Sequence, residues 1–159
     1  MNINIIIGER GRKMNDKNGF YTMKGYELGE EGELTPAMED YLEMICRISR
    51  IKGAVSISEL AARLHVKPSS ASKMVNNLKN RGYIGFEKYG SIIITDDGLE
   101  AGMYLLYRHS VLHEFLKTIN GSDNELEQVE KIEHFINGAT VESLEKLTLR
   151  IRADKTAPD

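Results

Sequence analysis

Apolar and polar positions alternate in three different ways along the chain. Before residue 34 they show no regular spacing, and six glycines, Gly8, Gly11, Gly19, Gly25, Gly29 and Gly32, are scattered among polar residues. That pattern predicts a flexible arm over residues 1–33. From Thr35-Pro36, a capping threonine followed by a first-turn proline, the spacing becomes helical. Met38, Tyr41, Leu42, Ile45, Ile48 and Ile51 recur as far as the Lys52-Gly53 break, which predicts a first helix. Ser56-Ile57-Ser58-Glu59 is a capping box opening a short second helix with Leu60, Ala61 and Leu64 as its apolar positions. A turn at His65-Val66-Lys67 leads to Pro68, which starts a third helix that buries Ala71, Met74, Val75 and Leu78 and stops at Gly82. The period then drops to that of strands in YIGFEK and SIIIT, two runs separated by Tyr89-Gly90 that read as a hairpin. Helix, helix, turn, helix, hairpin is the order of a winged helix-turn-helix.

After Thr95 the helical period returns. Leu99, Met103, Leu106, Leu112, Phe115, Leu116 and Ile119 form a long stripe ending near Asn120-Gly121. A short acidic helix over about 123–137 and a last helix over about 140–152 follow. The expected fold is therefore mostly α with a small β-hairpin. The expected divisions are an arm (1–33), a winged helix-turn-helix domain (34–95), an all-helical metal-binding and dimerisation domain (96–152) and a frayed tail (153–159).

Composition narrows the class. At 159 residues with 41% hydrophobic and 28% charged residues, the chain has enough apolar content for a buried core and no run long enough to span a bilayer. The MNINIII start lacks a longer apolar stretch and a cleavage site, so no export signal is expected. Cys46 is the single cysteine, which fits a reducing compartment and a cytoplasmic protein.

The net charge of −3 hides a strong segregation. Residues 44–95 carry nine Lys or Arg against two acids, or +7, whereas residues 1–43 sum to −4 and residues 96–159 to −6. A basic block between acidic ones predicts a polyanion-binding module joined to a cation-handling one. Within the block, the helix from Pro68 to Arg81 is the element that would enter the major groove. Its polar stripe holds Ser69, Ser70 and Ser72, small enough for close approach, Lys73 and Lys79 for phosphate, and Asn76 and Asn77 for adenine edges. Lys67 precedes it, and Lys88 with Tyr89 forms the wing tip. Each of these alone is an ordinary polar surface residue, and the joint placement on one stripe carries the reading.

A second constellation has metal-ligand chemistry. Asp40 and Glu43 are three apart on the first helix, and Glu130, Glu133 and His134 fall at i, i+3 and i+4 on the acidic helix, spacings that share a face. His109 on the long helix is positioned to complete a cluster. Taken singly, each is more often a solvated acid or a hydrogen-bonded histidine. Converged, four carboxylates repel one another unless cations share the site. Their −4 matches two divalent ions.

The runs LTPAMEDYLEMICRI, KPSSASKMVNNLKNRGYIGFEKYGSIIIT, YRHSVLHEFL and VEKIEHFI resemble the manganese transport regulators, the manganese-responsive branch of the diphtheria toxin repressor family, over about residues 34–150. The resemblance implies a homodimeric repressor of metal-uptake genes. Its winged domain reads double-stranded operator DNA, and a divalent corepressor sits between that domain and the helical one. It places Asp40, Glu43, His109, Glu130, Glu133 and His134 on the family's metal-ligand positions. Iron-responsive members carry methionine at the Asp40 position and cysteine at the Glu130 position, so hard oxygens here imply Mn(II), two ions per subunit. Fe(II) comes next, and Co(II), Zn(II) or Cd(II) are substitutes.

Three features depart from the family pattern: the long arm, a last helix ending after Arg152, and His113 in place of an acid four residues past His109. His113 is read as a half-buried histidine and Cys46 as a small buried hydrophobe. No third SH3-like domain, no membrane contact and no small organic substrate are expected. Without metal, mutual repulsion is expected to loosen the two domains, and proton competition is expected to weaken metal binding below about pH 6. A dinuclear metallohydrolase and a winged helix regulator of an organic ligand are the competing classes.

Overall fold

The structure, a computed structural model, describes residues 34–87 and 90–156. Helix α1 spans Pro36–Lys52, where Thr35 Oγ1 accepts from the Met38 N–H and Pro36 fills the first turn. It ends at Gly53, whose φ of +82° no β-carbon would favour. Helix α2, Ile57–Arg63, is capped by Ser56 Oγ accepting from Glu59 N–H at 3.1 Å. His65, at φ +53°, turns the chain into α3, Pro68–Asn80. Strands β1, Ile84–Phe86, and β2, Ile92–Ile94, pair antiparallel with Gly85 opposite Ile93. Val55 adds a bridge to Ile92 through two backbone hydrogen bonds of 2.8 and 3.1 Å. This third rung is too short to leave a periodic signal in the sequence.

Helix α4, Asp96–Asn120, starts on the hairpin itself: Thr95 Oγ1 accepts from Gly98 N–H and donates to the Gly82 carbonyl, and Thr95 N–H donates to the Tyr83 carbonyl. It stops at left-handed Gly121. Helix α5, Leu126–Ile132, is shorter than the 123–137 expected. It passes into a 3₁₀ turn, Glu133–Phe135, because Ile136 is extended and Asn137 caps the next helix, its Oδ1 accepting from Thr140 N–H. Helix α6 runs Gly138–Thr156, four residues beyond the expected end at Arg152. Arg152 and Lys155 both donate to Thr118 on α4, and Arg152 also pairs with Glu114, so this last turn is anchored.

The described residues belong to one compact unit with two hydrophobic clusters. The larger joins Leu42, Ile45 and Ile48 of α1 to Leu60, Val75, Leu78, Ile84, Ile92 and Leu105; the smaller joins Leu112 and Leu116 to Val129. Four expected core positions are corrected. Ile51, in the last turn of α1, is 80% exposed. On α4, Leu99, Met103 and Ile119 face outward, and the buried face holds Gly98, Gly102, Leu105, Arg108, His109, Leu112 and Leu116. The reason is close approach: a β-carbon on Gly98 would lie 1.8 Å from the Tyr83 carbonyl oxygen, and one on Gly102 would lie 2.8 Å from Cys46 Cβ. Hydropathy gives glycine little weight, so the sequence pattern misplaces the stripe. Cys46 is fully buried, packed on Gly102. Among the described residues, no helix is long and apolar enough to cross a membrane.

Candidate metal centre and nucleic-acid interface

Three elements converge where α4 passes between α1 and the acidic turn. From α1 come Asp40 and Glu43, from α4 comes His109, and from the 3₁₀ turn come Glu133 and His134. His109 Nδ1 lies 3.0 Å from Glu133 Oε2 and 4.0 Å from Glu43 Oε1. His134 Nε2 lies 3.0 Å from Asp40 Oδ1. These residues form two groups of three, Asp40–Glu133–His134 and Glu43–His109–Glu133, each offering one ligand atom per residue within 4.8 Å of the others. Glu133 is common to both and almost fully buried. Glu130 belongs to neither group; its half-exposed carboxylate reaches His109 Nδ1 at 3.7 Å and stands at the rim. The difference from the expected single face arises because α5 ends at Ile132 and the tighter 3₁₀ turn swings Glu133 inward.

The electrostatics follow from crowding. The hydrogen bond to Glu133 raises the His109 pKa, against burial, which lowers it. Hydrogen bonds to Asp40 and then Glu39 push His134 up to about 9. Burial, helped by the Glu133 charge, raises Glu130. Protons here stand where a cation would be favoured. Oxygen and imidazole donors in this mixture suit first-row divalent ions, and a buried carboxylate shared between two groups fits a pair of them.

Sequence reasoning missed three contributors. Arg47 donates from both Nε and Nη2 to Glu43 Oε1, at 3.0 and 2.5 Å, so the other oxygen stays free of it. Glu39 accepts from Arg108 Nη2 at 2.6 Å and lies 2.7 Å from His134 Nδ1. Glu39 and Arg108 adjoin candidate ligands in sequence, which was the available signal. Their pairing across 69 residues was not. His113 lies in neither group and sits half-buried, 3.8 Å from its neighbour Glu114.

The DNA-facing candidates lie on α3. Ala71, Val75 and Leu78 are buried beneath it, while Lys67, Ser69, Ser70, Lys73, Asn76, Asn77 and Lys79 are exposed and Ser72 is half-buried. Met74 is only partly buried. Lys79 turns its ammonium over the Phe86 ring, 5.1 Å from the centroid. Arg47, Lys52 and Arg63 of the basic block pair with Glu43 or Glu59. Among the described residues Lys67 and Lys73, exposed at the start and middle of α3, have no acid within ion-pair reach. Lys88 and Tyr89 lie outside the described residues.

A short antiparallel hairpin behind a helix-turn-helix, with a carboxylate and imidazole cluster behind it, defines a winged helix DNA-binding protein with an attached metal-ligating helical region. Residues 33–92 match the family described as iron dependent repressor, N-terminal DNA binding domain. The HTH-type transcriptional regulator MntR of Shouchella clausii (strain KSM-K16) is 36% identical over 126 residues, which cover 79% of this chain and 88% of that protein. A structure of the manganese regulator SloR superposes with a TM-score of 0.65 at 27% identity, covering 74% of this chain and 55% of that one. A manganese-dependent transcriptional repressor in complex with manganese gives 0.59 at 28% identity, covering 76% and 53%. This chain spans about half the length of those two solved structures. The chain belongs to the iron dependent repressor family, in its MntR-type branch of metal-dependent transcriptional regulators. Its relatives are regulators rather than enzymes, which removes the metallohydrolase reading.

Proposed function

We propose that the chain is a cytoplasmic homodimeric repressor that binds double-stranded operator DNA when Mn(II) occupies the cluster, controlling metal-uptake genes. The observation that carries this is the meeting of two three-residue ligand groups at the shared, buried Glu133. Two ions per subunit follow, one at each group. The absence of a thiolate or thioether from the donor set favours Mn(II), then Fe(II), with Co(II), Zn(II) and Cd(II) as substitutes in vitro.

Residues 34–95 read DNA and residues 96–152 pair subunits in this scheme. An ion at these donors supplies the positive charge that several carboxylates can share across elements. Asp40 and Glu43 hold the α1 side and Glu133, His134 and Glu130 the acidic turn, with His109 between them. Helix α1 already seats on α4 through the Cys46–Gly102 contact and the Glu39–Arg108 pair. Loosening by repulsion therefore falls on the link between α1 and the acidic turn rather than on the whole domain junction. Closing that link sets two α3 helices of a dimer about 34 Å apart, one turn of DNA. A shift from one state to the other needs roughly 5.5 kcal/mol of differential affinity, within reach of two multidentate sites. By linkage, operator DNA tightens metal binding equally.

The test is Mn(II) titration of the purified chain, with binding to DNA from upstream of its own gene as the readout. Glu133→Ala, which removes the shared ligand, is expected to abolish the Mn(II)-dependent gain in affinity. Unchanged activation in that variant would refute the site.

A further inference from the structure

Behind His134, on the side away from Asp40, lies a largely buried ion pair that belongs to neither ligand group. Arg108 is 5% exposed, and its Nη2 donates to Glu39 Oε2 at 2.6 Å while Nη1 lies 3.4 Å from Oε1. The same Oε2 lies 2.7 Å from His134 Nδ1. The Arg108 Nε has no hydrogen-bond partner among the described residues. A buried pair of this kind adds little stability compared with apolar residues of the same size, and an orphan donor costs more. Its arrangement points to another role.

We infer that Glu39, held by Arg108, is a positioning residue that fixes the ring of His134 so that Nε2 presents its lone pair to the metal cluster. The chemistry is forced by donor and acceptor types. Arginine only donates and an ionised carboxylate only accepts, so the 2.7 Å contact of His134 Nδ1 with Glu39 Oε2 needs a hydrogen on Nδ1, whereas Arg108 Nη2, which spends its hydrogen on Glu39 at 2.6 Å, stands at a longer 3.4 Å from Nδ1. In the doubly protonated ring Nε2 donates to Asp40 Oδ1 at 3.0 Å, so Nε2 is the nitrogen that gives up its proton when a metal takes that place. Glu39 comes from α1, Arg108 from α4 and His134 from the 3₁₀ turn. The clamp therefore joins the three elements that carry the ligands, one step outside the donor set. Partners in that outer position typically tune metal affinity by about 10- to 100-fold.

This inference rests on the metal-site reading, and its test separates the two. Mn(II) affinity is measured by titrating the full chain and detecting free Mn(II) by electron paramagnetic resonance. Two variants are used. Glu39→Gln combined with Arg108→Met removes both charges without stranding either; Glu39→Asp keeps the buried charge pair but withdraws the carboxylate from His134. Both are expected to bind Mn(II) about 10- to 100-fold more weakly. A purely structural role would not alter the second readout, the ring nitrogens of His134 by ¹⁵N NMR in the Zn(II)-loaded chain. The natural chain should show a metal-shifted Nε2 and a slowly exchanging proton on Nδ1, and Glu39→Asp should lose that slow exchange. Wild-type Mn(II) affinity in Glu39→Asp, or an Nδ1 proton that exchanges as slowly as in the natural chain, overturns the clamp while Glu133→Ala still loses binding. Absence of Mn(II) binding by the natural chain overturns the metal site itself, and the clamp with it.

Discussion

The raised pKa of His134 changes how the site answers pH. The sequence reading puts proton competition below about pH 6, but hydrogen bonds donated by the imidazole to Asp40 and Glu39 lift it to about 9. Competition therefore extends through neutrality. A histidine raised above its unfolded value stabilises the fold fully below about pH 6.5, and that contribution is lost as pH rises toward 9. The metal-free chain should lose melting temperature across that window while Mn(II) affinity climbs, as calorimetry at several pH values would show. A melting temperature that rises over the same window would contradict the ion pairs described. On α3, Lys73 is exposed, and no acid among the described residues is within its ion-pair reach. Lys73→Ala should weaken operator binding for all sequences and reduce the salt slope by about one. A slope equal to that of the natural chain would remove Lys73 from the phosphate contacts.

Among the elements, α4 was the one whose extent was clear in the sequence and whose orientation was not. Thr95 and Gly121 mark its ends as expected, because caps are local chemistry. Its buried face was misplaced because two of the closest contacts are made by glycines. Gly102 lets α1 and α4 touch at Cys46, and that contact sets where His109 stands relative to Glu43. Gly102→Ala puts a β-carbon 2.8 Å from Cys46 Cβ, an overlap that moves backbone and costs about 1–3 kcal/mol. Thermal unfolding should show the loss. Cys46→Ala should not restore it, since the alanine keeps the offending carbon, whereas Cys46→Gly should in part. The acidic helix gives the opposite lesson. Its composition announced a ligand-bearing element, but the early stop at Ile132 and the 3₁₀ turn depend on Asn137 capping α6, and this is what separates buried Glu133 from half-exposed Glu130.

For the whole molecule, Leu99 and Met103 on α4 and Leu147 and Leu149 on α6 are exposed apolar residues in the region assigned to pairing. If they are covered by a second subunit, Leu99→Lys with Met103→Lys should shift the chain to monomer in sedimentation and lower operator affinity, while leaving metal-free helicity intact; an unchanged dimer would place the interface elsewhere. The sequence by itself determined the order of elements, the caps at Thr35, Ser56 and Gly121, the polar stripe of α3 and five of the six candidate ligands, because these depend on residue type and on spacings of three or four, while His109 joined the set through the family resemblance. Only the tertiary structure decided which faces touch, that Glu133 is shared between two ligand groups, and that Glu39 and Arg108 meet behind His134. Those facts rest on contacts between residues 24 to 95 positions apart. No local pattern encodes such a meeting. It follows from how closely α4 approaches its neighbours, and here Gly102 sets that distance against α1 and Gly98 against the hairpin.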